Sequence, residues 1–318
     1  MLNGLLRFTL FVASFFGREV LYSNRDAFGV PFKNLMSMVY FIPSSQRKLA
    51  LAAAQADEEP VLVIGGSGTG KGALAKWIHQ NSPRSAQPFV IATRERTLAE
   101  QIRDCPGGTL MIDDIANYPV AEQLVVLNFL KTKSVPHPNR TAGTALPMIV
   151  NVRIIATSVP QIDSRSRAGM FNDELLIRLS KNRIEMPNLT EREDEFEDIA
   201  MGILHEITRE LHKEYVKGFS ENVWRQLRDY DWPGNLRELR NVLQMAVVSC
   251  ETERVESKDL PDFGHDKINF QATRSEFEKI YLSELLKSFN HDLEKTARAA
   301  RVERMALLEK LKRHGLIH

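Results

Sequence analysis

Residues 61–72 read Val-Leu-Val-Ile-Gly-Gly-Ser-Gly-Thr-Gly-Lys-Gly, a short apolar run that ends in a glycine cluster closed by a lysine. The apolar run has the length of a buried strand, and the residues after Gly72 begin a helix. With this spacing, backbone N–H groups turn inward around a phosphate while Lys71 reaches its outer oxygens. The phosphates would also lie at a helix N-terminus, which favours negative charge. The stretch predicts a nucleotide-binding phosphate loop; a glycine-rich turn without a ligand is the alternative.

The candidate nucleotide contacts extend along the whole of this loop. They are Gly65, Gly66, Ser67, Gly68, Thr69, Gly70, Lys71 and Gly72. Gly72 stands where a Ser or Thr hydroxyl usually ligates Mg²⁺, so this position supplies no side-chain ligand for a metal.

A second apolar segment, Thr109–Ile112, ends in the two acids Asp113 and Asp114. In a parallel sheet the carboxyl end of such a strand lies beside the phosphate loop. We expect Asp113 to hold Mg²⁺ through water and Asp114 to orient the attacking water, which makes both candidate catalytic residues. An acidic turn without a function is the alternative, because turns often carry aspartate.

Strands that alternate with helices from residue 46 to residue 189 predict an α/β fold with a parallel, doubly wound sheet. Further predicted elements are buried strands at 88–93 and 149–157, a short helix at 98–102, and a helix at 120–130 with Leu124, Leu127 and Leu130 on one face. Residues 131–146 are expected to form a polar loop.

From Thr190 onward the composition changes, and we predict helices without further strands. Thr190–Glu193 has the pattern of a capping box that starts a helix. The apolar positions of that helix are Phe196, Ile199, Ile203, Ile207 and Leu211, and helices at 220–229 and 235–249 follow. The predicted domains are an N-terminal segment of unknown role (1–45), a nucleotide-binding subdomain (46–189), a helical subdomain (190–260), a linker (261–273) and a C-terminal domain (274–318).

The C-terminal domain has the pattern of a helix-turn-helix. After a helix at 274–289, two short helices at 292–300 and 303–314 meet at small residues, of which Ala297 is one. Residues 292–318 contain seven Lys or Arg against four acids, namely Lys295, Arg298, Arg301, Arg304, Lys310, Lys312 and Arg313 against Asp292, Glu294, Glu303 and Glu309. This local excess suits DNA, and a solvated dimerisation bundle is the alternative.

Composition places limits on the class of protein. The 318 residues carry a net charge of +1 and 43% hydrophobic residues, which allows a large core and about two domains. Such a charge excludes gross electrostatic binding of nucleic acid by the whole molecule. Cys105 and Cys250 lack metal spacing, so we expect reduced thiols and a cytoplasmic protein. Residues 1–16 are apolar but too short to span a bilayer, and we expect no membrane association.

These stretches together resemble the sigma-54-dependent transcription activators, which are bacterial enhancer-binding proteins of the AAA+ class. Gly65–Lys71 is similar to the family's GESGTGKE loop, and Gly107–Ile115 resembles its GGTLFLDEI strand. Val152–Ala156 is similar to its sensor I strand, and Trp232–Leu239 to its sensor II signature. The basic tail resembles the Fis-type helix-turn-helix that closes such proteins.

The resemblance implies an AAA+ subdomain with a helical lid, and ATP with Mg²⁺ as its ligands. It implies that Arg237 contacts the nucleotide and that Arg178 reaches the γ-phosphate held by a neighbouring subunit. It also implies double-stranded DNA as a partner, a dimer through the C-terminal domain and a hexameric AAA+ ring. The DNA contacts are expected from Arg301, Arg304, Lys310, Lys312 and Arg313. RNA polymerase or another family member are further candidate partners.

The chain departs from the family where sigma-54 is touched and where ATP is hydrolysed. The family carries a long insertion with a GAFTGA loop, whereas here only Arg94–Pro106 separates the second strand from Gly107. Asp114 is one methylene shorter than the family's glutamate. Three further family positions are altered: Thr93 and Val159 replace asparagines, and Asn172 replaces an arginine.

We therefore expect an ATP-binding, DNA-binding transcriptional regulator that hydrolyses ATP weakly or not at all and does not contact sigma-54. One alternative is an active ATPase that remodels another protein. A second is an accessory subunit that assembles with an intact activator and supplies Arg178 to it.

Overall fold

Strands alternate with helices up to residue 186, and helices predominate beyond it. In chain order the elements are α1 (Arg47–Gln55), β1 (Val61–Gly65), α2 (Lys71–Gln80), β2 (Phe89–Ile91), α3 (Leu98–Arg103), β3 (Thr109–Ile112), α4 (Val120–Thr132), β4 (Ser134–Val135), β5 (Met148–Ile149), β6 (Arg153–Ser158), α5 (Ile162–Arg167), α6 (Asp173–Leu179), β7 (Arg183–Met186), α7 (Phe196–Glu210), β8 (Gly218–Phe219), α8 (Glu221–Asp229), α9 (Asn235–Ser249), β9 (Arg254–Val255), α10 (Leu293–Ala299) and α11 (Arg304–Arg313).

The computed structural model describes residues 40–137, 147–261, 291–300 and 302–317, with 279, 282, 283, 285, 286 and 289 between them. The predictions for residues 1–39, for the linker from 262 to 273, for most of the helix at 274–289 and for Arg301 therefore lie outside the described residues. Among the residues described, no helix combines the length and the apolar character needed to cross a membrane. Cys105 and Cys250 are buried free thiols.

A five-stranded sheet with the order β2-β3-β6-β1-β7 organises the first half of the chain. Its strand pairs are all parallel, which confirms the predicted α/β class. β1 lies between β6 and β7, and every one of its residues is buried. This position explains its uninterrupted apolar sequence, because a strand covered on both faces carries no polar alternation.

Two expectations for this sheet were wrong. β2 is the edge strand rather than a buried one, and Ile91 is 56% exposed. The strand expected at 149–157 is two strands: β5 pairs with β4 in an antiparallel hairpin, and β6 enters the sheet only at Arg153. Val150, between β5 and β6, donates its N–H to the carbonyl of Lys133, next to β4, at 2.8 Å.

The face of α4 also differs from the prediction. Leu124 is 42% exposed, whereas Gln123 is buried with Leu127. The Gln123 amide donates to Tyr118 O at 2.9 Å and accepts from Asn172 N at 2.9 Å. A glutamine with both amide ends satisfied can be buried at low cost, so it takes the place expected for a leucine.

The second half forms a helical subdomain in which α7 packs along α9. Contrary to the prediction, it contains strands, since β8 and β9 form a small parallel pair. The capping box at Thr190–Glu193 was also wrong. Glu191 reaches back three residues to the backbone N–H and side-chain amide of Asn188, at 3.3 and 2.9 Å, and α7 begins only at Phe196.

Near the C-terminus, α10 and α11 pack against each other. Asp292 caps α10, because its carboxylate accepts from the N–H groups of Glu294 and Lys295. These helices have an apolar core of their own, formed by Leu282, Leu286, Ala297, Leu307 and Leu311.

Candidate nucleotide site

The phosphate loop joins the carboxyl end of β1 to the first turn of α2. Gly70 precedes α2 with φ of 95°, and Gly68 has φ of 78°. Side chains with a Cβ are strained in this left-handed region, so the backbone needs glycine at both positions. The loop thus brings its backbone N–H groups and the N-terminus of a helix to one place, as anion binding requires.

Lys71 is placed at the mouth of this loop. Its Nζ donates to Gly65 O at 2.8 Å and to Gly66 O at 2.7 Å. Burial lowers the pKa of Lys71, while the negative charges of Asp113 and Asp114 act in the opposite direction. Two carbonyls of the loop therefore hold the ammonium group of Lys71 against the loop.

The loop packs directly against the start of α9. A Cβ added to Gly68 would lie 2.0 Å from Gly234 O, so the two backbones leave no room for a side chain. Arg237 N donates to Gly68 O at 3.2 Å. The sequence-predicted contact Arg237 is therefore brought to the loop, where its charge adds to burial in lowering the pKa of Lys71.

Asn235 connects three segments at this junction. Its Nδ2 donates to Ser67 O at 2.9 Å, and its Oδ1 accepts from Leu189 N at 2.7 Å. The side chain is buried, and the backbone has φ of 53°, a conformation that asparagine tolerates better than most residues. Asn235 thus links the phosphate loop, the end of the α/β region and the helical subdomain.

An apolar wall beside the loop was missed by sequence reasoning. A Cβ placed on Gly70 would have Leu236 Cδ1 at 3.4 Å and Met186 Cε and Phe41 Cδ2 at 3.7 Å. These three side chains come from α9, β7 and the segment before α1. No motif marks them, because their proximity depends on the tertiary fold alone.

Arg192 explains why Phe41 is there. Its guanidinium donates to Phe41 O at 3.0 Å and to Tyr40 O at 2.9 Å, and it pairs with Glu195 at 2.6 Å. Burial alone would raise the pKa of Glu195, but the hydrogen bonds from Ser44 and Arg192 hold it below its ordinary value. Arg192 and Glu195 therefore attach residues 40–44 to the helical subdomain.

The two predicted acids follow β3, at the same edge of the sheet as the loop. Asp113 is exposed, and its Oδ1 accepts from the hydroxyl of Thr157 at 2.6 Å. The same hydroxyl oxygen accepts from Asp114 N at 2.9 Å. Thr157, fully buried on β6, is a positioning residue that the sequence analysis placed in a strand without a role. In the sequence, Thr157 could have been recognised as a hydroxyl-bearing residue near the carboxyl end of a strand otherwise rich in Ile and Ala.

The carboxylate of Asp114 has one oxygen inside the protein and one at the surface. Its Oδ2 accepts from Asn117 Nδ2. Its Oδ1 is buried and has no hydrogen-bond partner among the residues that the structure describes. The backbone of Asp114 is left-handed, with φ of 49° and ψ of 60°. The carboxylate is therefore held at one oxygen by the side chain of Asn117 and has its other oxygen inside the protein.

The other altered positions have local roles in the structure. The backbone N and O of Thr93 bind the side-chain amide of Gln101 at 2.8 and 2.9 Å. Asn172 caps α6, since its Oδ1 accepts from Leu175 N at 2.9 Å. Val159 follows β6 directly. Asn172 in place of an arginine therefore starts a helix instead of reaching a phosphate.

Arg178 lies in the last turn of α6. Its side chain is 38% exposed and pairs with Glu174 on the same helix at 3.1 Å. Glu174 also pairs with Lys131 of α4 at 2.6 Å. The structure thus places Arg178 on a surface, where it is not brought together with Lys71 and Asp113 of its own chain.

The residues fit ATP better than they fit an independent metal site. The loop, its lysine and the apolar wall suit phosphates and a base. Among the described residues, no group of three or more His, Cys, Asp or Glu side chains is arranged to hold a metal. Asp113, an exposed carboxylate held by Thr157, suits a Mg²⁺ ion that keeps its waters and is also bound by phosphates.

Family models match most of the chain. Residues 43–189 match the model described as the sigma-54 interaction domain, and residues 190–276 match the AAA+ ATPase lid domain. The transcriptional regulatory protein GlrR of Escherichia coli is 30% identical over 296 residues, covering 84% of this chain and 65% of GlrR. The alginate biosynthesis transcriptional regulatory protein AlgB of Pseudomonas syringae pv. tomato is 28% identical, covering 80% of this chain and 62% of AlgB.

Solved structures agree with this assignment of the fold. The crystal structure of NtrX from Brucella abortus in complex with ATP has a TM-score of 0.58 and 26% identity, covering 88% of this chain and 68% of that one. The ADP complex of the same protein has a TM-score of 0.59 at 24% identity, covering 86% of this chain and 68% of that one, which supports the fold alone. The chain spans slightly less than two thirds of the length of the two curated regulators.

Proposed function

Because the chain belongs to the sigma-54 interaction family of AAA+ proteins, we propose that it is a transcriptional regulator that binds ATP and DNA and hydrolyses ATP slowly. The observation that carries the proposal is the phosphate loop itself. Lys71 Nζ lies 2.8 and 2.7 Å from the carbonyl oxygens of Gly65 and Gly66, at the N-terminus of α2. The loop N–H groups and this ammonium would hold the phosphates of ATP.

The surroundings of the loop support a nucleotide rather than a free phosphate. Phe41, Met186 and Leu236 supply an apolar surface beside Gly70 on which a base can rest. Asp113 would hold Mg²⁺, which when bound neutralises charge on the β- and γ-phosphate oxygens. Arg237, whose backbone N–H binds Gly68 O at 3.2 Å, would sense the bound phosphates.

Slow hydrolysis is proposed because the groups that act on water are altered while those that hold phosphate are present. Asp114 has a shorter side chain than a glutamate, and its Oδ2 is bound to the side-chain amide of Asn117. Displacement of a reacting group by about 1 Å can cost roughly 10²-fold in rate. Asn172 caps a helix where an arginine finger, worth about 10³- to 10⁵-fold in rate, would be needed.

The test is ATP affinity measured beside steady-state hydrolysis on the same purified full-length protein. We expect measurable affinity with turnover well below about 1 s⁻¹, the low end of ordinary enzyme rates. Turnover at or above that rate would favour the alternative of an active ATPase that remodels another protein. No measurable ATP affinity would contradict the proposal outright.

We further propose that the chain does not activate sigma-54 polymerase. Residues 92–108 between β2 and β3 contain α3, whose start is a capping box of Thr97 and Glu100. Because α3 lies within this short segment, the structure of residues 92–108 supports the absence of a long projecting loop between β2 and β3. The protein should fail to drive open-complex formation in a purified sigma-54 system, and efficient open-complex formation would refute this part.

Binding of DNA is proposed for the C-terminal helices. Arg304 is the first residue of α11 and is exposed, as are Lys312 and Arg313 near its end, and Lys310 lies on the same helix. Two packed helices whose second one presents cations at both ends suit a recognition helix in the major groove. Double-stranded DNA is therefore the proposed partner, bound by a dimer formed through the C-terminal domain.

Fluorescence anisotropy of the full-length protein with selected and random duplexes tests this assignment. Arg304→Ala should cost about 1 to 3 kcal/mol and relax the sequence preference. Lys312→Ala should weaken all sequences alike and lower the salt slope by about one. Salt-insensitive binding that is identical for both duplexes, or no binding, would leave these helices as a dimerisation bundle.

A second candidate role rests on Arg178. Its exposed position on α6 leaves it able to reach a neighbouring subunit, which favours an accessory subunit in a mixed ring with an intact family member. Size-exclusion chromatography with such a member would show mixed rings, and Arg178→Ala should lower the partner's hydrolysis. RNA polymerase contact and a hexameric ring of this chain alone are the other assemblies that the family suggests.

A further inference from the structure

Asn117 lies beside the predicted water-activating acid and was not singled out by any motif. It ends a 3-10 turn, Ile115–Asn117, that begins immediately after Asp114. Its backbone N–H donates to Asp114 O at 3.0 Å, and its side-chain amide donates to Asp114 Oδ2. Asn117 thus binds both the backbone and the carboxylate of the same residue.

Two arginines hold Asn117 in turn. Arg165 Nη1, from α5, donates to Asn117 Oδ1 at 2.5 Å and to Ala116 O at 2.9 Å. Arg94 Nη1 donates to Asn117 O at 2.9 Å, and its guanidinium stacks on the Tyr118 ring at 4.3 Å. Because Oδ1 is occupied by Arg165, the amide nitrogen of Asn117 must face Asp114.

These contacts explain the orientation of the acid. With Oδ2 bound to Asn117 and Oδ1 buried, the Asp114 carboxylate can rotate toward a nucleotide only by breaking the hydrogen bond from Asn117. Thr93, where the family's restraining asparagine would be, has its backbone N–H and carbonyl bound to the side-chain amide of Gln101. A restraint on the acid is therefore present, but it comes from the turn after β3 instead of from the end of β2.

We propose that Asn117, oriented by Arg165, is a positioning residue that holds the Asp114 carboxylate against the turn after β3 and thereby suppresses hydrolysis. The inference rests on the proposed function, since it concerns the same ATP site. It adds that slow turnover is maintained by a contact that can be released, and is not due only to the shortened acid. Anything that draws Arg165 away from Asn117 would release Asp114.

Two variants separate this role from simple support of the turn. Asn117→Ala removes both side-chain contacts. Asn117→Asp keeps an oxygen for Arg165 but replaces the amide donor with a second carboxylate, which repels Asp114. If Asn117 only supports the turn through Arg165, the Asp variant should behave as the unmodified protein. If it holds Asp114, both variants should release the acid.

The measurements are ATP affinity and single-turnover hydrolysis of the full-length protein. We expect both Asn117 variants to hydrolyse ATP about 10- to 100-fold faster, with affinity changed less than about twofold; this range follows from the rate effect of a displaced reacting group. Arg165→Ala should raise the rate by a smaller factor, because Asn117 remains but is free to turn. Asn128→Ala, an exposed asparagine on α4, is the matched control and should change neither quantity.

The outcomes distinguish this inference from the proposed function. If the unmodified protein does not bind ATP, the proposed function fails. If ATP binds but neither Asn117 variant hydrolyses faster, or only the Ala variant does, the restraint is refuted. Asn117 is exposed, so loss of folding is not expected; should the Ala variant fail to fold, the Asp and Arg165 variants decide the question by the same criteria.

Discussion

The loop half and the acid half of the nucleotide site are held in different ways. The loop half is made of backbone: glycines in the left-handed region and close contact between Gly68 and Gly234. The acid half is made of side chains, with Asp113 and Asp114 oriented by Thr157 and Asn117. Both halves lie at the carboxyl edge of one sheet, so the difference arises from local chemistry and not from the fold.

This difference explains how a chain can retain ATP binding while it loses ATP hydrolysis. Backbone N–H groups are present whatever the side chains are, so a loop of correct conformation keeps its capacity for phosphate. Water activation depends on the reach and direction of single side chains, and one lost methylene at Asp114 changes both. A chain can therefore keep the first property while the second declines.

The largest expected effect comes from removing the one side chain on which the loop half depends. Lys71→Ala should weaken ATP binding by about 10²-fold or more, because a hydrogen bond to a charged group is worth about 1.5 to 3 kcal/mol and Lys71 would make more than one. Titration with a fluorescent ATP analogue measures this. Lys76→Ala, exposed on the same helix, is the control. Equal affinity of the Lys71 variant and the unmodified protein would contradict the assignment of the loop half.

The loop half was also the part that could be predicted from sequence. Residues 61–72 carry a local pattern, in which strand, loop and helix follow each other and need no distant partner. The helix at 235–249 was predicted to the residue for the same reason. Asp113 and Asp114 were located, since they directly follow an apolar strand.

What was missed depends on contacts between distant residues. β7 alternates Arg183 and Glu185 with apolar residues, a pattern typical of an exposed segment. In the structure it pairs in parallel with β1 and forms one edge of the sheet. Phe41 reaches the loop only through Arg192, which lies far along the chain. The hydrogen bond from Asn117 to Asp114 spans three residues, yet it depends on Arg165 from another helix. No periodicity encodes such contacts.

The connection between the loop half and the helical subdomain gives the next largest effect. Asn235→Ala removes hydrogen bonds to Ser67 O and from Leu189 N and places alanine in a left-handed conformation. A net loss of about 2 to 3 kcal/mol of stability is expected from an unsatisfied buried N–H and the backbone strain. Chemical denaturation measures this loss, and ATP should protect the variant less than it protects the unmodified protein.

Asn235→Gly is the matched control for that variant. Glycine adopts φ of 53° without strain but also lacks the side chain, so it should recover only the backbone part of the loss. The reduced protection by ATP should remain in both variants. Full protection by ATP in either one would show that Asn235 does not couple the loop to the helical subdomain.

The affinity for ATP should depend on pH through Lys71, which belongs to the loop half. Burial lowers the pKa of Lys71, and bound phosphates would raise it again. ATP binding then takes up a proton between these two pKa values, so affinity should fall as pH rises through that window, by up to tenfold per pH unit. The fall should begin below the ordinary lysine value of about 10.4. Lys71→Arg, whose guanidinium stays charged, should flatten the profile; an unchanged profile in that variant would assign the titration to another group.

The smallest expected effect comes from restoring a metal ligand at Gly72. A Cβ at this position would lie 3.3 Å from Met111 Cε, the flexible end of a side chain, so a serine fits with a shift of a few tenths of an ångström. Gly72→Ser should raise the Mg²⁺-dependent part of ATP affinity a few-fold, about 1 kcal/mol or less, as one added oxygen contact would. Gly72→Ala has the same Cβ without the hydroxyl and should show no gain. Turnover should stay low in the serine variant because Asp114 remains bound to Asn117. A serine variant that hydrolyses ATP rapidly would mean that the metal ligand, and not the orientation of Asp114, separates binding from hydrolysis in this chain.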